Sequence, residues 1–396
     1  MKLHEACELI VDCPHSTAPD EGHGFPLIRT PNIGKGRLIF DGVHRVSKDV
    51  YNNRNQRAIP QDDDLIFARE APVGNVAIIK NGEKVCLGQR TVLLRPNKNK
   101  VDPDFLVYFL LAPQQQYNLL GTANGATVAH VNIPAIRNLE VTLPELDTQH
   151  RIADILSAYD DLIENNRKQI KLLEEAAQRL YKEWFVDLRF PGHENTVIVD
   201  GVPEGWESVL LNDVIDFNPK VELSKERVKQ SIPMSALSTT SMVLDSNEFT
   251  ETTSTSGARF QNGDTLLARI TPCLENGKTA FVSGILSDEG AVGSTEFIVM
   301  RAKNINPYMV YLLARTEDFR ESAIKSMTGS DGRQRVQVDI IKALPYLLPV
   351  NDVLCSFEKC IKPLFEQISV KQSQNINLVE ARDRLLPKLM SGEMEV

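Results

Sequence analysis

The 396-residue chain has no apolar run approaching the roughly eighteen residues a membrane-spanning helix needs, which excludes an integral helical membrane protein. Its start, Met1 to Asp12, carries acids and lacks a basic stretch leading into an apolar one, so no signal peptide is expected and a cytoplasmic location follows. Cysteine is scarce. The six cysteines, at 7, 13, 86, 273, 355 and 360, form no C-x-x-C pair and read as free thiols in a reducing compartment. Basic charge is not in excess either: the net charge is −9, residues 1–145 are neutral, and 146–200, 201–350 and 351–396 are each acidic. Indiscriminate binding of polyanions is therefore excluded, while a local basic face remains open because binding depends on charge distribution.

Catalytic patterns are also missing. Gly277-Lys278-Thr279 resembles the end of a phosphate-binding loop, but Pro272 stands where its first glycine belongs, so Asn276-Gly277 reads as a turn. Gly34-Lys35-Gly36 is equally uninformative. Cys7, Cys13, His15 and His23 match no zinc-ligand spacing, and no metal site is expected. Gly329-Ser330-Asp331-Gly332 is not a nucleophile elbow. No lysine has an acid two residues before it, as metal-dependent nucleases commonly do. No Pro-Pro-aromatic loop of the adenine methyltransferase kind occurs, Asn218-Pro219 being followed by Lys220. No catalytic residue is expected.

What the chain does have is a repeat. Asp64-Leu65-Ile66-Phe67-Ala68-Arg69 with Pro72 recurs 200 residues on as Asp264-Thr265-Leu266-Leu267-Ala268-Arg269 with Pro272, and Val131 to Phe185 aligns without a gap on Val336 to Met390. Leu143-Pro144/Leu348-Pro349, Gln169/Gln374 and Glu175-Ala176/Glu380-Ala381 are among the shared letters. The period is far too long for a solenoid and implies a duplicated domain with its linker. Boundaries follow at 1–145, 146–200, 201–350 and 351–396.

Both domains are expected to be strand-rich α+β units with mixed sheets. Short apolar runs mark the strands: Leu65 to Ala68, Val76 to Ile79, Thr91 to Leu94, Leu266 to Ala268 and Phe297 to Met300. Asn81-Gly82, Asn124-Gly125, Asn276-Gly277 and Asp331-Gly332 mark turns. Pro103 to Leu111 and Pro307 to Ala314 are the short-helix candidates, each with proline at the first turn.

After each Leu-Pro exit the period becomes helical. Ile152, Ile155, Tyr159, Ile163, Asn166, Ile170, Leu173, Ala177, Leu180 and Trp184 form one expected coiled-coil seam. Phe357, Cys360, Leu364, Ile368, Lys371, Asn375, Leu378, Arg382, Leu385 and Leu389 form the other, with a polar middle and Pro363 expected to bend or restart the helix. A pseudo-two-fold relation between the repeats makes the helices antiparallel and sets a domain at each end. A helix from 152 to 184 rises about 50 Å, roughly one to one and a half turns of DNA.

The order of domain, Leu-Pro exit, Gln149-His150-Arg151-Ile152 opening a long helix, and Val202-Pro203-Glu204-Gly205-Trp206 announcing a second domain resembles the DNA specificity subunit of type I restriction-modification systems, over essentially the full length. In that resemblance Asp64 to Arg69 and Gly121 to Val131 belong to a first target recognition domain, and Gly263 to Arg269 and Gly329 to Val336 to a second. It implies a non-catalytic subunit reading a bipartite, asymmetric site in double-stranded DNA. It further implies two methylation subunits that bring S-adenosylmethionine to modify adenine at N6, and ATP- and Mg2+-dependent restriction subunits, with no cofactor bound by this chain. A structural adaptor that binds proteins through its coil, with little DNA specificity, is the alternative.

Reading DNA requires Arg, Lys, Asn or Gln at base edges and basic or hydroxyl groups at phosphates. Candidates in the first domain are Arg29, Lys35, Arg37, Arg54, Asn55, Gln56, Arg57, Arg69, Gln89 and Arg90. In the second they are Thr239-Thr240-Ser241, Thr252 to Ser256, Arg259, Arg269, Lys278, Arg333 and Arg335. Arg69 and Arg269 recur, which suits a scaffold or phosphate role, whereas positions that differ between domains are expected to read the differing half-sites.

Overall fold

The computed structural model describes residues 1–121, 130–284, 289–330 and 332–396, so the Asn124-Gly125 turn, Asp331 and most of the 121–131 loop lie outside the described residues. The structure forms two compact units, Met1–Ile163 with Leu378–Val396, and Glu164–Asn377. The helices Leu146–Tyr181 and Asn351–Ser391 each contribute to both.

The first unit contains β1 (Cys7–Asp12), β2 (Phe25–Ile28), β3 (Gly36–Arg37), β4 (His44–Val46), β5 (Leu65–Ala68), β6 (Val76–Ile78), β7 (Cys86–Leu87) and β8 (Thr91–Pro96). They make a five-stranded sheet in the order β1-β8-β5-β6-β3 and a three-stranded sheet β4-β2-β7. The β3–β6 and β2–β7 pairs are parallel and the others antiparallel, so both sheets are mixed. Successive residues of a strand face opposite sides. Leu65 and Phe67 accordingly pack with Phe105, Ile152 and Leu156, while Ile66 and Ala68 pack with Ile28, Ile33 and Leu87. A strand covered on both faces reads as an unbroken apolar run, which is why Leu65 to Ala68 shows no alternation.

The second unit contains β9 (Ile198–Val199), β10 (Val202–Pro203), β11 (Glu207–Leu210), β12 (Ile215–Phe217), β13 (Lys229–Ile232), β14 (Thr250–Thr252), β15 (Ala258–Phe260), β16 (Thr265–Ala268), β17 (Thr279–Phe281), β18 (Ala291–Gly293), β19 (Phe297–Ala302) and β20 (Pro345–Leu348). Its main sheets run β12-β19-β16-β17 and β14-β13-β18-β15, with β13–β18 parallel. The runs β12-β19-β16-β17 and β14-β13-β18 repeat β1-β8-β5-β6 and β4-β2-β7, while β3 edges the larger sheet of the first unit and β15 edges the β14-β13-β18 sheet of the second. Leu267, Ile298 and Met300 face one core, and Leu266, Phe297 and Val299 the other.

The two expected short helices form over the expected residues. Asp102 caps Pro103–Leu111 by accepting from the Phe105 amide at 2.8 Å, and Asn306 caps Pro307–Ala314 by accepting from the Met309 amide at 3.0 Å.

Within each unit the long helices pack antiparallel. In the first, Ile152, Ala153 and Leu156 share a core with Leu386 and Leu389, and Arg382 pairs with the buried carboxylate of Asp160. In the second, Asn166 donates to Asn375 at 3.0 Å, and Tyr181 and Trp184 pack on Phe357.

Several seam assignments require correction. Ile155 is 37% exposed, and Leu156, wholly buried, takes its place. Asp160 rather than Tyr159 is buried, Ile361 rather than the exposed Cys360, and Gln372 rather than Lys371. Leu180 and Leu385 are only partly covered, Tyr181 and Leu386 being the buried neighbours, and Leu173, Leu364 and Leu378 are also partly covered. Ile163, Ile170, Trp184, Phe357, Ile368 and Leu389 are buried as expected. A straight helix drifts by about 20° per heptad from a 3.5-residue repeat. These helices also pack on their own domains, which buries a wider stripe than a two-helix seam. Pro363 does not break the helix, which continues from Asn351 to Ser391. Its ring is exposed, so the one lost backbone hydrogen bond falls on the solvent side.

Candidate nucleic-acid interface

The repeated Asp–Arg motif builds a buried anchor. Arg95 Nε and Nη2 donate to Asp64 Oδ1 and Oδ2 at 2.8 and 2.7 Å, and Arg301 makes the same fork to Asp264 at 2.7 and 2.7 Å. The amides of Gln61 and Gln261 donate to the same carboxylates at 2.9 and 2.8 Å. With Asp64 and Asp264 at most 1% exposed, these paired, fully hydrogen-bonded charges hold the strand entrance. Pro72 and Pro272 each follow a cis peptide bond, extending the likeness.

Five residues on, Arg69 is committed inward. Its Nε donates to the Val131 carbonyl at 3.0 Å and its Nη1 to Asp12 at 3.0 Å, while Nη2 lies 2.8 Å from His130 Nε2. Arg269 is half-buried in the equivalent place. The Val131 and Val336 amides donate to the Arg69 and Arg269 carbonyls, and the Arg69 and Arg269 amides donate to the Arg90 and Glu296 carbonyls. The backbone contacts recur in both copies, while the inward side-chain bonds are those of Arg69.

Other candidates divide between inward and outward. Arg54 is buried, with its guanidinium on the carbonyls of Leu87, Ser16 and Pro14 at 2.7, 3.0 and 3.3 Å, and Asn55 donates to the Val85 carbonyl. Arg37 donates to Asp161 of the long helix, Lys278 to the Met234 carbonyl, and half-buried Gln89 to the His15 carbonyl. These five make contacts within the fold. Arg29 is half-buried beside Gly88, whose lack of a Cβ permits the approach. Lys35, Gln56 and Arg57 are exposed on the first unit, and Thr239, Thr240, Arg259 and Arg333 on the second. Arg259 is tethered to the Thr255 and Val221 carbonyls, and Arg57 to that of Asp12. The hydroxyl run Thr252 to Ser256 folds on itself, the Ser254 and Ser256 amides donating to Thr252 Oγ1 and Ser254 Oγ.

Charged side chains that the sequence did not single out complete the two strand ends. In the first unit Glu70 pairs with Arg90 Nε at 2.9 Å, and its carboxylate lies 2.8 Å from His130 Nδ1. In the second, Arg335 Nε and Nη2 chelate Glu296, with a shortest contact of 2.7 Å, and those hydrogen bonds hold the Glu296 carboxyl below its usual range. A signal existed: His130 stands one residue before the gap-free repeat, and Glu70 directly follows the shared Asp64-to-Arg69 motif.

Among the described residues, no three or more His, Cys, Asp or Glu side chains converge as a metal site, and no helix is long and apolar enough to cross a membrane. All six cysteines are free.

The chain is a duplicated α+β domain with a long helix following each copy and polar, cation-bearing strand ends that differ between copies. Residues 2–175 match the family model described as the type I restriction modification DNA specificity domain. Over 386 residues the chain is 26% identical to the Type I restriction enzyme MjaIX specificity subunit of Methanocaldococcus jannaschii, covering 95% of this chain and 88% of that one. It is 20% identical over 433 residues to the HindI specificity subunit of Haemophilus influenzae, covering 93% and 94%. The fold matches the crystal structure of a type I restriction-modification system S subunit from M. genitalium, with a TM-score of 0.53 over 98% of this chain and 95% of that one at 15% identity. Residues 2–175 thus carry a type I restriction modification DNA specificity domain, and nearly the whole chain is similar to type I restriction enzyme specificity subunits.

Proposed function

We propose that this subunit reads a bipartite, asymmetric site in double-stranded DNA, one half by each repeated domain, and does no chemistry itself. Residues 1–145 and 201–350 are the target recognition domains. Residues 146–200 and 351–396 supply the helices that set their spacing and recruit two methylation subunits and the restriction subunits. S-adenosylmethionine, ATP and Mg2+ enter with those partners, in the cytoplasm. The observation that carries this reading is that one run of four strands, one run of three and one buried Asp–Arg anchor occur twice, while the exposed polar groups differ. Equal frames with unequal surfaces suit two different half-sites. Side chains at base edges supply the discrimination, each good bidentate contact contributing about 1–3 kcal/mol.

Enrichment from a randomised duplex pool, using the full chain with its methylation partner, is expected to return two short conserved elements separated by a fixed unspecific spacer. Recovery of no preferred sequence, with partner binding intact, would support the adaptor reading instead.

A further inference from the structure

The transposed charges at the two equivalent strand ends carry more than the similarity to specificity subunits. Register fixes the equivalence: Ala68 pairs with Thr91 as Ala268 pairs with Phe297, and bridges join Glu70 to His130 and Ile270 to Arg335. Three places therefore correspond: Glu70 with Ile270, Arg90 with Glu296, and His130 with Arg335. In the first unit the exposed guanidinium stands at the start of β8, held by an acid beyond β5. In the second it stands on the bridging segment, held by an acid at the start of β19. The cation has changed flank while the anchor beneath has not changed at all.

Folding gives little reason for either pair. Exposed ion pairs contribute about 0–1 kcal/mol, and the Arg90 and Arg335 side chains are 58% and 44% exposed. The glutamates beneath them are far less so, at 16% and 24%. Arg90 also adopts a left-handed backbone at φ 65°, a conformation that costs free energy in a non-glycine residue and concentrates at functional positions. A glutamate that takes part of a guanidinium leaves its remaining N–H groups in a fixed plane. That fork matches guanine O6 and N7 at the major-groove edge.

We propose that Arg90 and Arg335 are specificity-determining residues, one for each half-site, and that Glu70 and Glu296 are the positioning residues that aim them at a base edge. This rests on the two-half-site reading above. It goes beyond it in naming which cations discriminate and what orients them.

The test is enrichment from a randomised duplex pool with the full chain and its methylation partner, comparing wild type with Glu70→Gln, Glu296→Gln, Arg90→Lys and Arg335→Lys. Lysine keeps the charge and loses the planar fork. Arg90→Lys and Glu70→Gln are expected to relax the same base position in one half-site and leave the other half intact. Arg335→Lys and Glu296→Gln are expected to do the same in the other half. Affinity for the wild-type site should fall about tenfold or more for each lysine variant. The lysine variants alter exposed side chains, so they remain informative should a glutamine variant misfold. Unchanged base preference with uniformly weaker binding would reduce both arginines to phosphate contacts and overturn the proposal. So would variants of both units acting on the same half-site. A wild-type protein that enriches no sequence would instead sink the two-half-site reading on which this one stands.

Discussion

Asp64 with Arg95 and Asp264 with Arg301 are one construction made twice, whereas Glu70 with Arg90 and Glu296 with Arg335 are different constructions at one place. The difference follows from burial. A carboxylate with no solvent contact leaves its partner little freedom to change, because losing either member strands a charge in a low-dielectric site. A pair at the rim is screened and cheap to rearrange. Duplication therefore preserves the interior charge pairs and releases the rim for divergence, so the geometry of the two domains stays common while their surfaces part.

The strongest way to break that comparison is to remove one anchor. Asp264→Ala leaves the Arg301 guanidinium, 23% exposed, without its fork and frees the Gln261 amide. A loss of about 3–5 kcal/mol is expected, read as a shifted midpoint in denaturant unfolding, and Asp64→Ala should lose a similar amount. A loss under about 1 kcal/mol at either site would place that anchor in the rim class, where pairs contribute little.

How far the sequence announced this arrangement depends on the range of the interaction. Pro103 and Pro307 with their preceding Asp and Asn fix short helices through neighbours three residues away, so those elements were legible. The repeat of Asp64 and Asp264 was equally plain, but its meaning was not, since Arg95 and Arg301 lie 31 and 37 residues further on and meet the aspartates only across the sheet. Arg54 looked like a DNA contact because it stands among Asn and Gln, yet the carbonyls of Leu87, Ser16 and Pro14 accept from its guanidinium and the side chain is buried. Asp160 looked like a surface acid, and its burial depends on Tyr108, whose hydroxyl donates to it at 2.6 Å, and on Arg382. Glu70 and Glu296 escaped notice because a search for DNA contacts weighs cations and passes over the acids that orient them.

The seam offers a sharper comparison between adjacent residues of equal apolarity. Ile155 and Leu156 cannot be ranked from spacing, but one is 37% exposed and the other fully buried. Leu156→Ala is expected to cost about 2–4 kcal/mol through lost burial and the cavity left behind, and Ile155→Ala under about 1 kcal/mol. Equal costs in thermal or denaturant unfolding would restore the seam read from the sequence. A selective effect of Ile155→Ala on partner binding would instead mark that face as docking surface.

The smallest expected effect concerns Glu174, the buried acid that the second unit sets on the long helix. Desolvation pushes its carboxyl above the ordinary range, against the Tyr311 hydroxyl, the Met242 amide and Gln178, which favour the charged form. An acid whose folded pKa is raised binds its proton more tightly folded than unfolded. Its contribution is therefore fully favourable below the unfolded value and is lost as pH rises through the folded one. Desolvation of the Glu174 carboxylate therefore works against folding as pH rises. Glu174→Gln keeps a carbonyl for the Met242 amide and a side-chain amide that can donate to the Tyr311 oxygen, and it removes the titration. The expected result is a flatter dependence of unfolding free energy on pH above the ordinary glutamate range, with stability at neutral pH held or slightly increased. The anchor predicts the opposite sign, because Asp264→Gln would leave an amide nitrogen facing the Arg301 fork, and stability should fall at every pH. If Glu174→Gln destabilises at neutral pH as Asp264→Gln does, then both acids are structural charge pairs. The distinction between a carboxylate that holds the frame and one that merely tolerates burial then disappears.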